Sequence, residues 1–338
     1  MIVGAGAVGC YLGRILGEQE IWELRESAFE KTCGGLFSKN IKDLKVDLSE
    51  SLENEVKGAR FFSPNDSFEV KTNETQAFVV DRFKLQKTLI QDAENEKCRI
   101  EWSRPWRGQE DNLIMGCDGA YSEVMQSCGI KRNYFNCYQV ECTLMNKIDP
   151  DFVELHFGSF APGFFGWLIP VDEKKVRIGL GCTEGNPKQH FESFKNKFHI
   201  AKIIKEQAAL IPIYDGQKTV FKNKVLVGDA AGQVKATSGG GVVFGLKCAE
   251  ELKKAIDRKD LNRYDLSWRT KYGNDLKTHL MIRKFLNKVD YDKLFQLIKE
   301  KELDKLIEEH GDMEDTSGIK KQLMKRPDLW LSFGKLFF

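Results

Sequence analysis

Two short apolar runs, Met1 to Val3 and Ile21 to Trp22, flank a glycine-punctuated stretch near the start of the chain. Their spacing predicts a strand, a glycine turn, a helix from Cys10 to Leu16 ended by Gly17, and a second strand that closes at Glu23. Thr32 to Ser38 reads as a Gly-containing loop, and residues 41–75 are polar and mixed, with no clear period. The continuous apolar run Ala77 to Val80 predicts a strand, and Asp81 after it caps a helix from Arg82 to Ala93. Leu113 to Cys117 reads as a buried strand ending in Asp118-Gly119. Apolar and polar residues alternate in Gln139 to Met145 and in Lys175 to Gly181, which predicts an antiparallel sheet within residues 131–185. Val225 to Gly228 reads as a last parallel strand. Gly239-Gly240-Gly241 opens a long helix through Ile256, and from Leu261 onward the pattern is helical with charged faces.

The 338 residues suffice for two domains or one large one, and no composition shift marks a linker, so interleaved domains are expected. The formal net charge is +2, which argues against a nucleic-acid partner. No run of about 18 apolar residues is present to cross a membrane, and no signal-like segment precedes the first glycines. Nine cysteines without a C-x-x-C pair and five scattered histidines point to no disulfide framework and no metal site, which fits a reducing cytoplasm. G-x-S-x-G, H-E-x-x-H and a Walker loop are absent.

The chemistry lies in two glycine motifs. Gly4, Gly6 and Gly9, with Ala7 and Val8 between them, form G-x-G-x-x-G after an apolar strand. Such a turn lets a pyrophosphate approach backbone N–H groups at a helix N-terminus, where the helix dipole favours negative charge. Glu23, with Arg25 just after it, ends the second strand, where a carboxylate takes the hydroxyls of an adenosine ribose. Far along the chain, Gly228-Asp229 offers a carboxylate at a strand end to a second polar chain, such as the ribitol of a flavin. Gly239, Gly240 and Gly241, followed by Val242, would bring N–H groups to the ring edge that turns negative when a flavin is reduced; the plainer reading is a glycine loop. Clamps at both ends imply FAD. Arg82 sits in the first turn of its helix, where a cation opposes the dipole. A phosphate partner accounts for it, against the alternative of an exposed arginine.

In this order the motifs resemble those of the FAD-dependent geranylgeranyl reductases, within the wider class shaped like aromatic hydroxylases. Phe78-Val79-Val80-Asp81-Arg82 is similar to that family's Y-V-V-D-R, and Gly116 to Ser122 to its G-A-D-G-x-x-S, which brings Asp118 and Gly119 to the cofactor. Phe165 to Pro170 resembles Y-x-W-x-F-P, with Phe for Tyr and Ile for Phe. Thr237 to Gly241 resembles T-G-G-G with one serine extra. His310 to Met313 and Lys325-Arg326-Pro327 are similar to the archaeal members, which act on digeranylgeranylglycerophospholipids.

The resemblance implies an α/β fold with a Rossmann-like FAD-binding domain, an inserted antiparallel-sheet substrate domain and a helical C-terminal region. The expected divisions are 1–45, 76–130 and 218–280 for FAD, 46–75 and 131–217 for substrate, and 281–338 for the helical region. It implies an oxidoreductase that saturates C=C bonds of geranylgeranyl chains in isoprenoid membrane lipids, and it leaves the electron donor open, with ferredoxin and NAD(P)H as candidates. Cys33-Gly34-Gly35 resembles the family loop C-G-x-G-L-S, which places Cys33 and Gly34 at the flavin and makes Cys33 a candidate proton donor. The alternative is a small buried hydrophobe. Phe164, Phe165, Trp167 and Pro170 would line a tunnel for the lipid chain, with core packing as the rival reading. The first strand, first helix and middle region are trimmed relative to the family, and Phe165 lacks a hydroxyl, which bears on the substrate. The alternatives are an FAD-dependent monooxygenase and a degenerate flavin- or lipid-binding homologue. Lys247 to Asp290 holds twelve Lys/Arg against seven Asp/Glu, which suits either anionic lipid headgroups or a solvated surface. The apolar stretch Leu329 to Phe338 would dock on the protein or on a membrane's inner face.

Overall fold

In the computed structural model of the chain, residues 1–108 and 113–326 are described; the stretch Leu329 to Phe338 and Pro327 lie outside them. The strand Ile2–Val3 pairs in parallel with Glu20–Trp22 on one side and Ile114–Gly116 on the other. Arg99–Glu101 and Lys224–Leu226 extend this sheet in parallel, and Val220–Phe221 closes one edge antiparallel, making six strands. Strand alternation sorts the core. Ile2, Ile21, Met115 and Val225 turn to the helices Ala7–Leu16, Arg82–Asn95 and Val242–Asp257. Val3, Trp22, Ile114 and Leu226 turn to Val124, Met125 and Ile130 on the other face.

The first helix begins at Ala7, a turn earlier than the apolar pattern indicates, because Gly6 serves as its N-cap and the Gly6 carbonyl accepts from Cys10 N at 2.9 Å. The second strand stops at Trp22, so Glu23 lies just beyond it. Asp81 caps the helix Arg82–Asn95 as expected, its carboxylate accepting from Phe83 N at 2.8 Å and Lys84 N at 3.0 Å.

The second sheet has seven strands in the order Ile200–Pro212, Tyr134–Leu144, Lys175–Cys182, Gly166–Pro170, Phe152–His156, Gly58–Phe62 and Ser67–Lys71. All pairs are antiparallel except Phe152–His156 with Gly58–Phe62, which run parallel. The hairpin Gly58–Phe62 and Ser67–Lys71 comes from the stretch without a readable period. The first of these strands is half-buried at every position, because both its faces are partly covered. A third sheet of Leu36–Ser38, Ala77–Val80 and Leu52–Val56 bridges the other two. Its first strand falls where the glycines had suggested a loop. From Asn262 onward the described chain is helical, with one π turn at Arg269–Gly273. The segment after His310 returns to the edge of the third sheet, where Asn40, in the turn Lys39–Leu44 after the strand Leu36–Ser38, donates through Nδ2 to Glu314 at 2.8 Å.

Candidate cofactor and substrate site

Glu23 is buried behind the first glycine turn. One carboxylate oxygen accepts from Ala5 N at 2.9 Å, and the other from Arg25 N at 3.0 Å and Arg25 Nη1 at 3.1 Å. Gln86 donates to the Ala5 carbonyl at 2.6 Å, but its own amide oxygen is buried without a partner among the described residues. One helical turn earlier, Arg82 is 3% exposed, and its Nε and Nη1 are likewise unpartnered. The expected alternative of an exposed arginine is thus excluded. A buried guanidinium with unpaired N–H groups costs several kcal/mol unless an anion completes it. Gly6 adds a cradle, since a Cβ there would meet nothing within 4 Å. Unspent donors and an open glycine turn fit a phosphate-bearing dinucleotide.

Asp118 contributes differently. Its backbone lies against Gly4, where a Cβ would come 2.6 Å from the Cys117 carbonyl oxygen and 2.8 Å from Asp118 Cα. Its carboxylate turns to the helix Glu123–Ser127, accepting from the Ser122 hydroxyl at 2.5 Å and Val124 N at 3.1 Å, and burial pushes its pKa up. Gly119 follows in the left-handed region with open space at its Cβ position.

Gly228 and Asp229 begin a tight turn after the strand Lys224–Leu226. Gly228 N donates to Gln233 Oε1 at 2.7 Å, and the Asp229 carboxylate pairs with Lys31 at 2.7 Å. The turn Gly239–Gly241, with Gly241 as N-cap and Val242 as first residue of the next helix, is fixed from behind by Lys235. Lys235 N donates to the Gly240 carbonyl at 3.1 Å, and Gly239 N donates to the Lys235 carbonyl at 2.8 Å. Side chains are excluded by the protein itself. A Cβ on Gly240 would lie 2.8 Å from Lys235 Cε, and one on Gly241 2.7 Å from Val234 Cγ2 and 3.0 Å from Asp229 Oδ1. The Lys235 ammonium is buried against Glu314 at 2.7 Å, and Glu314 also accepts from the Ser38 hydroxyl. Burial pushes the Glu314 carboxyl up, but the Lys235 ammonium outweighs it and holds the pKa below the usual range.

Cys33 is half-buried, and its sulfur accepts from Gly35 N at 3.4 Å. Its carbonyl accepts from Gln139 Nε2 at 3.2 Å, while Gln139 Oε1 accepts from Trp167 Nε1 at 3.0 Å. A Cβ on Gly34 would lie 2.7 Å from Ile169 Cδ1. Arg177 donates to the carbonyls of Gly34 at 3.1 Å and Val80 at 3.0 Å, its charge met by Glu53 and Glu141. The antiparallel sheet thus presents Gln139, Trp167, Ile169 and Arg177 to the Cys33 segment.

Trp167 alone of the four tunnel candidates is linked to that segment by hydrogen bonds, through Gln139. Phe164 and Phe165 are buried in an aromatic cluster with Phe135 and Phe157; the Phe135 and Phe164 rings stack at 4.2 Å. Phe164 does approach the Gly239–Gly241 turn, since a Cβ on Gly239 would lie 3.6 Å from Phe164 Cζ and 2.7 Å from Ile211 Cδ1. Pro170 alternates to the face of Leu168, and its carbonyl accepts from Asn54 at 3.1 Å. Gln139, Ile169 and Arg177 were not singled out in the sequence. Polar residues at inward positions of the alternating stretches were the available signal. Among the described residues, no group of three or more His, Cys, Asp or Glu can hold a metal ion, and no helix is long and apolar enough to cross a membrane.

The architecture is that of FAD-dependent enzymes of the aromatic-hydroxylase and halogenase type. A probable FAD-dependent monooxygenase from Pseudomonas aeruginosa superposes with a TM-score of 0.65 at 13% identity, covering 85% of this chain and 94% of its own. A geranylgeranyl bacteriochlorophyll reductase-like protein from Thermoplasma acidophilum reaches a TM-score of 0.81 at 21% identity over 97% of this chain and 96% of its own. Residues 133–217 match the family model of the geranylgeranyl reductase catalytic domain. A digeranylgeranylglycerophospholipid reductase of Methanocaldococcus jannaschii is 26% identical over 85% of this chain and 83% of its own. A second, from Methanothermobacter thermautotrophicus, is 30% identical over 56% of this chain and 54% of its own. The resemblance to the geranylgeranyl reductases read from the sequence is borne out.

Proposed function

We propose that this chain is a flavin-dependent reductase that saturates C=C bonds of geranylgeranyl chains in isoprenoid membrane lipids, with FAD held between the two glycine motifs. One observation carries the reading. The segment that resembles the family's flavin-facing loop, Cys33-Gly34-Gly35, is seated directly on the sheet that matches the reductase catalytic domain, through Gln139, Ile169 and Arg177.

Glu23 takes the adenosine ribose, and Arg82 with the Gly4–Gly9 turn takes phosphate. Asp229 takes the ribitol. The Gly239–Gly241 turn, at the N-terminus of helix Val242–Asp257, faces the ring edge. FAD, when bound and reduced, supplies the hydride for one alkene carbon. The Cys33 thiol supplies the proton to the other carbon and is reprotonated from solvent, which its half-exposed position allows. An isolated alkene is a poor hydride acceptor, so placement decides the rate. Trp167 and Ile169 hold the chain against the Cys33 segment, their apolar surface stabilising it by roughly 25 cal/mol per Å² buried.

The test is single-turnover reoxidation of the dithionite-reduced, FAD-loaded protein by a geranylgeranyl lipid without oxygen, with mass analysis of the product. Wild type yields lipid heavier by two hydrogens per bond. Cys33→Ala keeps its flavin and slows the step by about 10²–10⁴-fold, the span of a lost general acid. Reoxidation only by oxygen, with a hydroxylated product, would instead identify a monooxygenase.

A further inference from the structure

Arg283, on the helix Asn274–Leu286, is 2% exposed, yet it makes no salt bridge among the described residues. Its guanidinium spends its donors on carbonyl oxygens alone: Nε to Ala236 at 3.0 Å, Nη1 to Phe164 at 3.3 Å and Nη2 to Thr237 at 2.7 Å. It stands over the ring faces of Phe164 and Phe165, 4.7 Å and 5.5 Å from their centroids. These partners are the layer directly beneath the flavin turn. Ala236 and Thr237 lead into Gly239–Gly241, and Phe164 touches Gly239. Lys235 in the same region is cancelled by Glu314, and His279 is held neutral by burial. The Arg283 charge has no such counterweight.

Leaving a buried cation uncompensated opposes folding. A neutral donor such as glutamine would brace the same carbonyls without that cost. Burial lowers the Arg283 pKa to about 10, so the charge persists at neutral pH. A charge held behind one layer of loop, away from water, acts at far higher strength than one in solvent.

We propose that Arg283 is a positioning residue whose unpaired charge, set behind the Gly239–Gly241 turn, favours the reduced, negatively charged form of the bound flavin. This rests on the reading that the chain holds FAD. Two electrons enter the ring on reduction and only part of their charge is met by protons, so a fixed cation at that edge binds the product of reduction more tightly than the oxidised ring.

The experiment measures the midpoint potential of FAD in the loaded wild type and in R283Q and R283K. In R283Q the preference for reduced over oxidised flavin falls about tenfold, a drop of about 30 mV in a two-electron couple. R283K, which keeps the charge and loses the planar fork, recovers most of it. An unchanged potential in R283Q, or equal shifts in both variants, overturns the proposal, because a purely structural brace would not distinguish a charge from an amide. Sulfite, which adds to the oxidised ring and leaves negative charge on the same edge, gives a second reading on the wild type. A bleached adduct is expected, and its absence overturns the proposal even where neither variant folds. A wild type that takes up no FAD would instead refute the underlying reading.

Discussion

A Cβ on Gly9 would lie 1.9 Å from the carbonyl oxygen of Gly4, so the first turn closes only with glycine at position 9. Gly6, three residues earlier, has nothing within 4 Å of the same position. The two glycines therefore answer to different demands, one from the fold and one from what binds there. Gly9→Ala is expected to unfold the N-terminal unit. Gly6→Ala is expected to melt like the wild type and to lose FAD affinity by at least tenfold, about 1.4 kcal/mol, because the added methyl occupies the pyrophosphate's path. Thermal melts and flavin titration separate the two, and a Gly6→Ala protein that binds FAD normally would remove the pyrophosphate from this turn.

Arg82 gives the same separation with opposite sign. Without cofactor, Arg82→Met removes a buried, partly unpaired cation and is expected to leave stability equal or higher. With cofactor, the lost charged contact is expected to weaken FAD binding by about 1.5–3 kcal/mol. Urea unfolding of the apoprotein and calorimetric titration with FAD read both. Loss of stability together with unchanged affinity would make Arg82 a structural residue.

Both glycine motifs, the Asp81 cap and the alternating strands were legible because each is local: a turn, a first-turn capping residue, a period of two. The hairpin Gly58–Lys71 was not, since its burial comes from neighbours on both faces rather than from its own pattern. Phe164, Phe165 and Trp167 were found as an aromatic cluster, but one residue's shift along a strand reverses its face. Ile169 therefore stands at Gly34, while Pro170, expected on the tunnel wall, turns to the opposite face. Arg283, Lys235 and Glu314 were out of reach because their meaning lies in contacts across long sequence separations.

Trp167 and Gln139 offer a test of the substrate side. Trp167→Phe keeps the aromatic wall but removes the indole N–H that Gln139 Oε1 accepts at 3.0 Å. Gln139 then holds the Cys33 carbonyl with one fewer anchor. The expected cost in stability is about 1 kcal/mol, with normal flavin content and a slower single-turnover reduction of lipid. A variant that matches wild type in that rate would show that the Gln139 bridge plays no part in positioning Cys33.

His279 links the segment before the Gly239–Gly241 turn to acid stability. Its Nδ1 shares a hydrogen with the Thr237 hydroxyl at 2.8 Å, and its Nε2 is buried without a partner among the described residues. Burial first, and then the Lys235 ammonium, lower its pKa from 6.5 to about 3, against the opposing pull of Glu314. The unfolded chain takes up a proton below pH 6.5 that the folded chain refuses until about pH 3, so stability is unaffected above that window and falls as pH drops through it. Between pH 7.5 and 4.5 the loss amounts to about 3 kcal/mol. His279→Asn, which retains a hydrogen-bonding group near the Nδ1 position and cannot titrate, is expected to be less stable than wild type at pH 7.5 and to recover about that amount relative to it at pH 4.5. Urea unfolding at the two pH values decides the matter. A gap between the two proteins that does not change with pH would mean that His279 carries its proton in the folded state.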